Sequence, residues 1–67
     1  MLAPNPPEIS PAAAETRELL LETAEPFRAI EISDATGLDL REANQALREL
    51  ANHGMAVATA DGWEAVQ

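Results

Sequence analysis

The sequence predicts a mainly α protein that ends in a small β-hairpin. Three observations carry this. Ser10-Pro11 and the pair Asp39 and Glu42 are strong helix starts. Gly37 and Gly54 stand where two helices should stop. Asp61-Gly62, between two short segments, is the preferred pair for a tight hairpin turn.

Residues 1–9 hold Pro4, Pro6 and Pro7 and show no apolar period, so they read as a flexible Pro-rich arm, extended or mobile, ahead of a domain spanning 10–67; a disordered tail is the favoured reading and an arm that docks on a partner the other. The first helix is expected over about 11–25, with Ser10 as N-cap and Pro11 at the first helical position. On a 3.6-residue wheel Glu15, Glu18, Glu22 and Glu25 form one acidic stripe, and Ala13, Leu20 and Ala24 mark the opposite face. Leu19 and Leu21 widen the apolar arc, which also contains Arg17, a side chain expected to cover the core's edge with its head in water. Pro26 should stop this helix.

"FRAI" is β-prone and short, a candidate first strand. The second helix is expected over about 30–36, with Ile32 and Ala35 inward, and Gly37 supplies a left-handed turn. The third helix, about 40–52, opens on an Asp39/Glu42 capping box and closes on Gly54, with Met55 reaching back to Leu50. Asp61-Gly62 is then expected to be the two-residue turn of a hairpin within 55–66.

Composition narrows the function classes. A chain of 67 residues with only Phe27 and Trp63 as aromatics makes one thin core, with little room for a catalytic cleft. Without cysteine there is no disulfide, thiolate zinc site or thiol nucleophile, and His53 alone cannot build a multi-histidine site. No glycine-rich phosphate loop or nucleophile elbow occurs, and the glutamates of the acidic stripe look solvated rather than paired in a cleft. The expectation is therefore a non-enzyme with no cofactor, metal or small-molecule substrate. No apolar run approaches the ~18 residues of a membrane span, and the N-terminus lacks a basic signal region. A cytoplasmic protein with no membrane contact is the remaining expectation.

"IEISDATGLDLREANQALRELANHGMAVATADGWEAV" runs short helix, Gly-Leu turn, long helix, then hairpin. In that order the chain resembles the winged helix-turn-helix superfamily over about residues 11–66. The resemblance implies three helices plus a two- or three-stranded antiparallel wing. It also implies that 40–52 is the recognition helix and 55–66 the wing. Winged helices serve both DNA and protein partners. A narrower similarity, to Z-DNA-binding winged helices, rests on Asn44 in the helix and Trp63 in the wing. Leu40 and Arg48 depart from it where that family prefers lysine and tyrosine, as does Asp61-Gly62 where it carries prolines.

At about 100° per residue, Leu40, Ala43, Leu47, Leu50 and Ala51 share the expected core arc of the third helix. Arg41, Asn44, Gln45, Arg48 and Asn52 share a neighbouring arc with no acid in it, and Glu42 and Glu49 lie on a third strip. Arginine suits guanine, and asparagine and glutamine suit adenine, so this arc fits a DNA major groove. Phosphate contacts supply most affinity for DNA, however, and the wing has no base while carrying Asp61 and Glu64. The same arc fits a protein surface, because arginines form bidentate pairs with carboxylates at interface centres. With 12 acids against four arginines and a net charge of -8, a protein partner or self-association is favoured, and sequence-specific DNA binding is the alternative. A solvated helix face without a partner is the plain reading of the same residues.

Two single residues have competing readings. His53 beside Gly54 suits the negative end of the helix dipole better than a pH switch. Trp63 is expected to pack against the core, with partner anchoring as its other role.

The charge imbalance also predicts a response to salt. Screening should relieve self-repulsion, so moderate sodium chloride should raise the melting temperature measured by circular dichroism. A flat or falling response would remove self-repulsion as a factor.

Overall fold

The computed structural model describes residues 9–23 and 25–66. Its order is α1 (Pro11–Glu22), α2 (Ala29–Thr36), α3 (Leu40–Asn52), β1 (Ala56–Thr59) and β2 (Gly62–Ala65). Three helices and a two-stranded antiparallel hairpin make a mainly α fold compatible with a winged-helix arrangement. Residues 1–8 of the Pro-rich arm lie outside the described residues, as does Ala24.

α1 starts where its capping residues direct. The Ser10 hydroxyl accepts from the Ala13 N–H at 3.2 Å, and Pro11 occupies the first turn. It buries Ala13, Thr16 and Leu20, and the Thr16 hydroxyl returns a hydrogen bond to the Ala12 carbonyl at 2.8 Å. The helix ends at Glu22, three residues before the expected 25. Thr23 turns extended, and its hydroxyl accepts from the Glu25 N–H, a local bond that competes with another helical turn. Of the leucines that widen the arc, Leu19 packs against the core and Leu21 stays exposed. Arg17 is half-buried with Nε enclosed and without a hydrogen-bond partner, so part of its guanidinium head is withdrawn from the water expected around it.

The "FRAI" strand contracts to one residue, because the next helix begins at Ala29. Phe27 pairs with Trp63 through both backbone groups, at 3.0 and 2.7 Å, adding a single bridge to the hairpin. The Arg28 N–H at the entrance to α2 donates to the Glu31 carboxylate at 2.8 Å. Ile32 is fully buried, but Ala35 is exposed rather than inward. The buried side of α2 turns toward Ala29, Ser33 and Thr36, which leaves Ala35 beyond its edge. Gly37 takes φ 81, and the Ser33 hydroxyl donates to the Leu38 carbonyl at 2.6 Å across the turn.

Both ends of α3 form as predicted. Asp39 accepts from the Glu42 N–H at 2.8 Å while the Glu42 carboxylate accepts from the Asp39 N–H at 3.3 Å. At the far end the Met55 N–H reaches the Leu50 carbonyl at 2.8 Å and the Gly54 N–H the Ala51 carbonyl at 3.0 Å, a Schellman closure around Gly54 at φ 71. His53 is the C-cap residue and is exposed.

The buried face of α3 differs from expectation. It consists of Ala43, Ala46, Leu47 and Leu50, while Leu40 is 44% exposed and Ala51 is exposed. On the wheel this turns the helix by roughly 40° toward Ala46. The cause is tertiary, since α3 packs against both α1 and α2 and small alanines allow the close approach. The rotation carries Glu49 off the solvated strip and onto the start of α1. Its carboxylate accepts from the Ser10 N–H at 2.8 Å and the Ser10 hydroxyl at 2.9 Å. A negative charge there also suits the positive end of the helix dipole.

The hairpin register pairs Ala56 with Ala65 and Thr59 with Gly62, so the turn is Ala60-Asp61 and not Asp61-Gly62. No described non-glycine residue has positive φ, which rules out a type I′ turn at Ala60-Asp61. The Thr59 hydroxyl braces it instead, accepting from the Asp61 N–H and donating to the Gly62 carbonyl. Gly62 is needed one position later for another reason. It has φ 144, and a Cβ there would sit 2.8 Å from the Phe27 carbonyl carbon and oxygen.

The core is small. Of its fully enclosed or nearly enclosed members, only Leu20, Ile32, Leu47 and Leu50 are large aliphatics, flanked by Ile9, Leu19, Phe27, Met55 and Trp63. Losses at single contacts should therefore be visible in stability. Gly62→Ala should destabilise by about 2–3 kcal/mol, lowering the melting temperature by roughly 10–20 °C. Gly37→Ala, with positive φ but open space, should cost only about 1 kcal/mol. Equal losses would show that the approach of Phe27 is unimportant. Glu49→Ala should cost about 1–2 kcal/mol in urea denaturation by leaving the Ser10 donors without their acceptor; an unchanged midpoint would contradict the clasp.

Candidate partner-binding face on helix α3

The rotation that buries Ala43, Ala46, Leu47 and Leu50 determines what the other side of α3 presents. Arg41, Asn44, Gln45, Arg48 and Asn52 are all exposed. An open concavity of about 400 Å³ lies among Leu40, Arg41, Asn44, Gln45 and Arg48. Leu40, expected in the core, instead adds apolar surface to this side. The lining is thus partly aliphatic, with two guanidinium groups and two amides beside Leu40.

The side chains are well supported. Capping at Asp39/Glu42 and the Schellman closure at Gly54 hold both ends of the helix, and its buried residues set the azimuth. Arg41 sits one residue into the helix and Arg48 two turns later, so both project from the same side. Two donor forks on one rigid side can grip two carboxylates or two phosphates.

The candidate residues do not all converge. Arg41, Asn44, Gln45 and Arg48 share the concavity, whereas Asn52 is exposed at the far end of the helix. Trp63 is half-buried, packs against the core and carries the backbone pair to Phe27. Its structural role is thereby accounted for. The contribution of Leu40 escaped sequence reasoning because its hydrophobicity placed it in the core arc. Ala46, which displaces it there, is too small to signal a buried face.

Elsewhere the molecule exposes acids. Glu31 and Asp34 on α2 and Asp61 and Glu64 on the hairpin are all exposed. Arg28 is the nearest thing to a balancing charge on α2's entrance and is exposed as well. Among the described residues no group of three or more His, Cys, Asp or Glu side chains could hold a metal ion. Among them, too, no helix is long and apolar enough to cross a membrane.

No protein-family model matches the chain, and no curated protein or solved structure matches it either.

Proposed function

We propose that the chain is a noncatalytic winged-helix interaction module whose α3 face binds a protein partner in a regulatory or inhibitory role, a second copy included. The observation that carries this reading is the composition of the concavity. Leu40 offers apolar area at its edge, and Arg41 and Arg48 offer bidentate pairing to carboxylates. Arginine beside a half-exposed aliphatic residue is typical of interface centres rather than of phosphate-tracking surfaces.

A sequence-specific DNA regulator is the second reading, favoured by the absence of acids from the arc of Arg41, Asn44, Gln45, Arg48 and Asn52. Its weakness is electrostatic. Only Arg28, Arg41 and Arg48 are exposed cations among the arginines, against 12 acids in the chain. Even if all three reached phosphates, the logarithmic salt slope would be only roughly −3.

A duplex titration across salt, with wild type and Arg41→Ala/Arg48→Ala, separates the two. The protein reading expects no sequence-dependent, salt-sensitive binding even at low ionic strength. Such binding in the wild type, lost in the double variant, would reverse the ranking. Light scattering over a concentration series, on the same two proteins, tests whether the partner is a second copy. Self-association should then weaken in the double variant.

A further inference from the structure

We infer that the α3 face takes the outer side of α1 from a second copy of this chain, with the two helices antiparallel. This rests on the α3 face being a protein-contact surface, and deepens that reading by naming the surface it meets. The two faces differ, so the contact is heterologous and each copy offers one of each.

The charges match in position. Arg41 and Arg48 are both exposed on α3 and stand seven residues apart, a rise of about 10.5 Å. Glu15 and Glu22, both exposed on α1, are separated by the same number of residues. Laid antiparallel, Glu22 meets Arg41 and Glu15 meets Arg48, each pair a carboxylate before a guanidinium fork. Glu18, exposed between the two, then stands level with Gln45, whose amide can donate to it.

The apolar residues fix the direction. Leu21 directly precedes Glu22, and Leu40 directly precedes Arg41. These leucines are 38% and 44% exposed, apolar area that each chain leaves in water. In a right-handed helix viewed from outside, N-terminus uppermost, each leucine lies to the right of its column of charges. Turning one helix end for end to face the other keeps both leucines on the same side, about 3 Å apart along the axis. A parallel arrangement would put them on opposite sides. Only the antiparallel one matches both ion pairs and covers both leucines together.

The other acids of the chain fit less well. Glu42 and Glu49 are also seven residues apart, but Glu42 caps α3 and Glu49 holds Ser10. Glu31 and Asp34 on α2 are too close together to span both arginines, as are Asp61 and Glu64 on the hairpin. The net charge of -8 opposes association at long range. At about 0.15 M salt that repulsion is screened beyond roughly 8 Å, while groups in contact are screened less.

Two charge-reversed chains test the pairing, by sedimentation equilibrium over a concentration series in about 0.15 M sodium chloride. Glu15→Arg/Glu22→Arg reverses the α1 side, and Arg41→Glu/Arg48→Glu reverses the α3 side. Wild type should self-associate, and each variant alone should do so at least about tenfold more weakly. The α1 variant should weaken even though its net charge is less negative, which general repulsion would not produce. An equimolar mixture of the two should associate again, because opposite charges then face each other in both combinations. Glu15→Gln/Glu22→Gln, a milder change at exposed positions, should weaken association by a smaller factor. A wild type still monomeric at millimolar concentration, or folded variants whose mixture fails to recover, would overturn the proposal. So would unchanged association in both the Gln and the Arg variants of α1. If the α3 variant alone lost association, the α1 pairing would fall while α3 stood as a contact face, so the two failures are distinguishable.

Discussion

The azimuth of α3 is the constraint on which the rest of the molecule depends. Ala43, Ala46, Leu47 and Leu50 are all essentially inaccessible, and they are shared between contacts to α1 and α2. With only a few large aliphatic residues available, the domain gains stability by bringing helices close rather than by filling a wide interior. Alanine permits that approach. The consequences reach both ends of the helix: Glu49 meets Ser10 at the head of α1, and Leu40 is turned out toward solvent.

A second constraint acts through backbone. Phe27 and Trp63 exchange hydrogen bonds, and the chain at Gly62 passes too close to Phe27 to tolerate a side chain. This ties the segment between α1 and α2 to the hairpin and supplies the third edge that a longer strand would otherwise provide. It also explains why Trp63 is a structural residue. Its backbone completes the bridge while its side chain closes the margin of a core with no other indole. The hairpin then carries two exposed acids outward, so it adds no cationic surface to the α3 face.

Together these constraints make a small acidic body with one acid-free helical face. The electrostatics are local rather than global. A net charge of -8 opposes phosphate contacts over most of the surface, but the Arg41 and Arg48 side chains are displayed on a side of α3 from which acids are missing. Glu49, on the strip that borders that side, is committed to Ser10. Selectivity would follow from the mixture of one aliphatic residue, two amides and two planar cations on a rigid helix.

The sequence by itself determined where helices begin and where two of them end. Ser10-Pro11, Asp39 with Glu42, Gly37 and Gly54 act through hydrogen bonds and dihedral preferences spanning a few residues, so their outcome needs no distant partner. The polar composition of the α3 face was legible for the same reason: Arg41, Asn44, Gln45 and Arg48 have periodic spacing. Only the tertiary structure decided the roughly 40° turn of α3, the exposure of Leu40 and Ala35, the target of Glu49 and the Ala60-Asp61 turn. Alanine gives a weak periodic signal yet packs most closely, and the hairpin's alanine-rich flanks leave register open. Those choices were settled by contacts between residues far apart in the chain, such as Ser10 with Glu49 and Phe27 with Trp63.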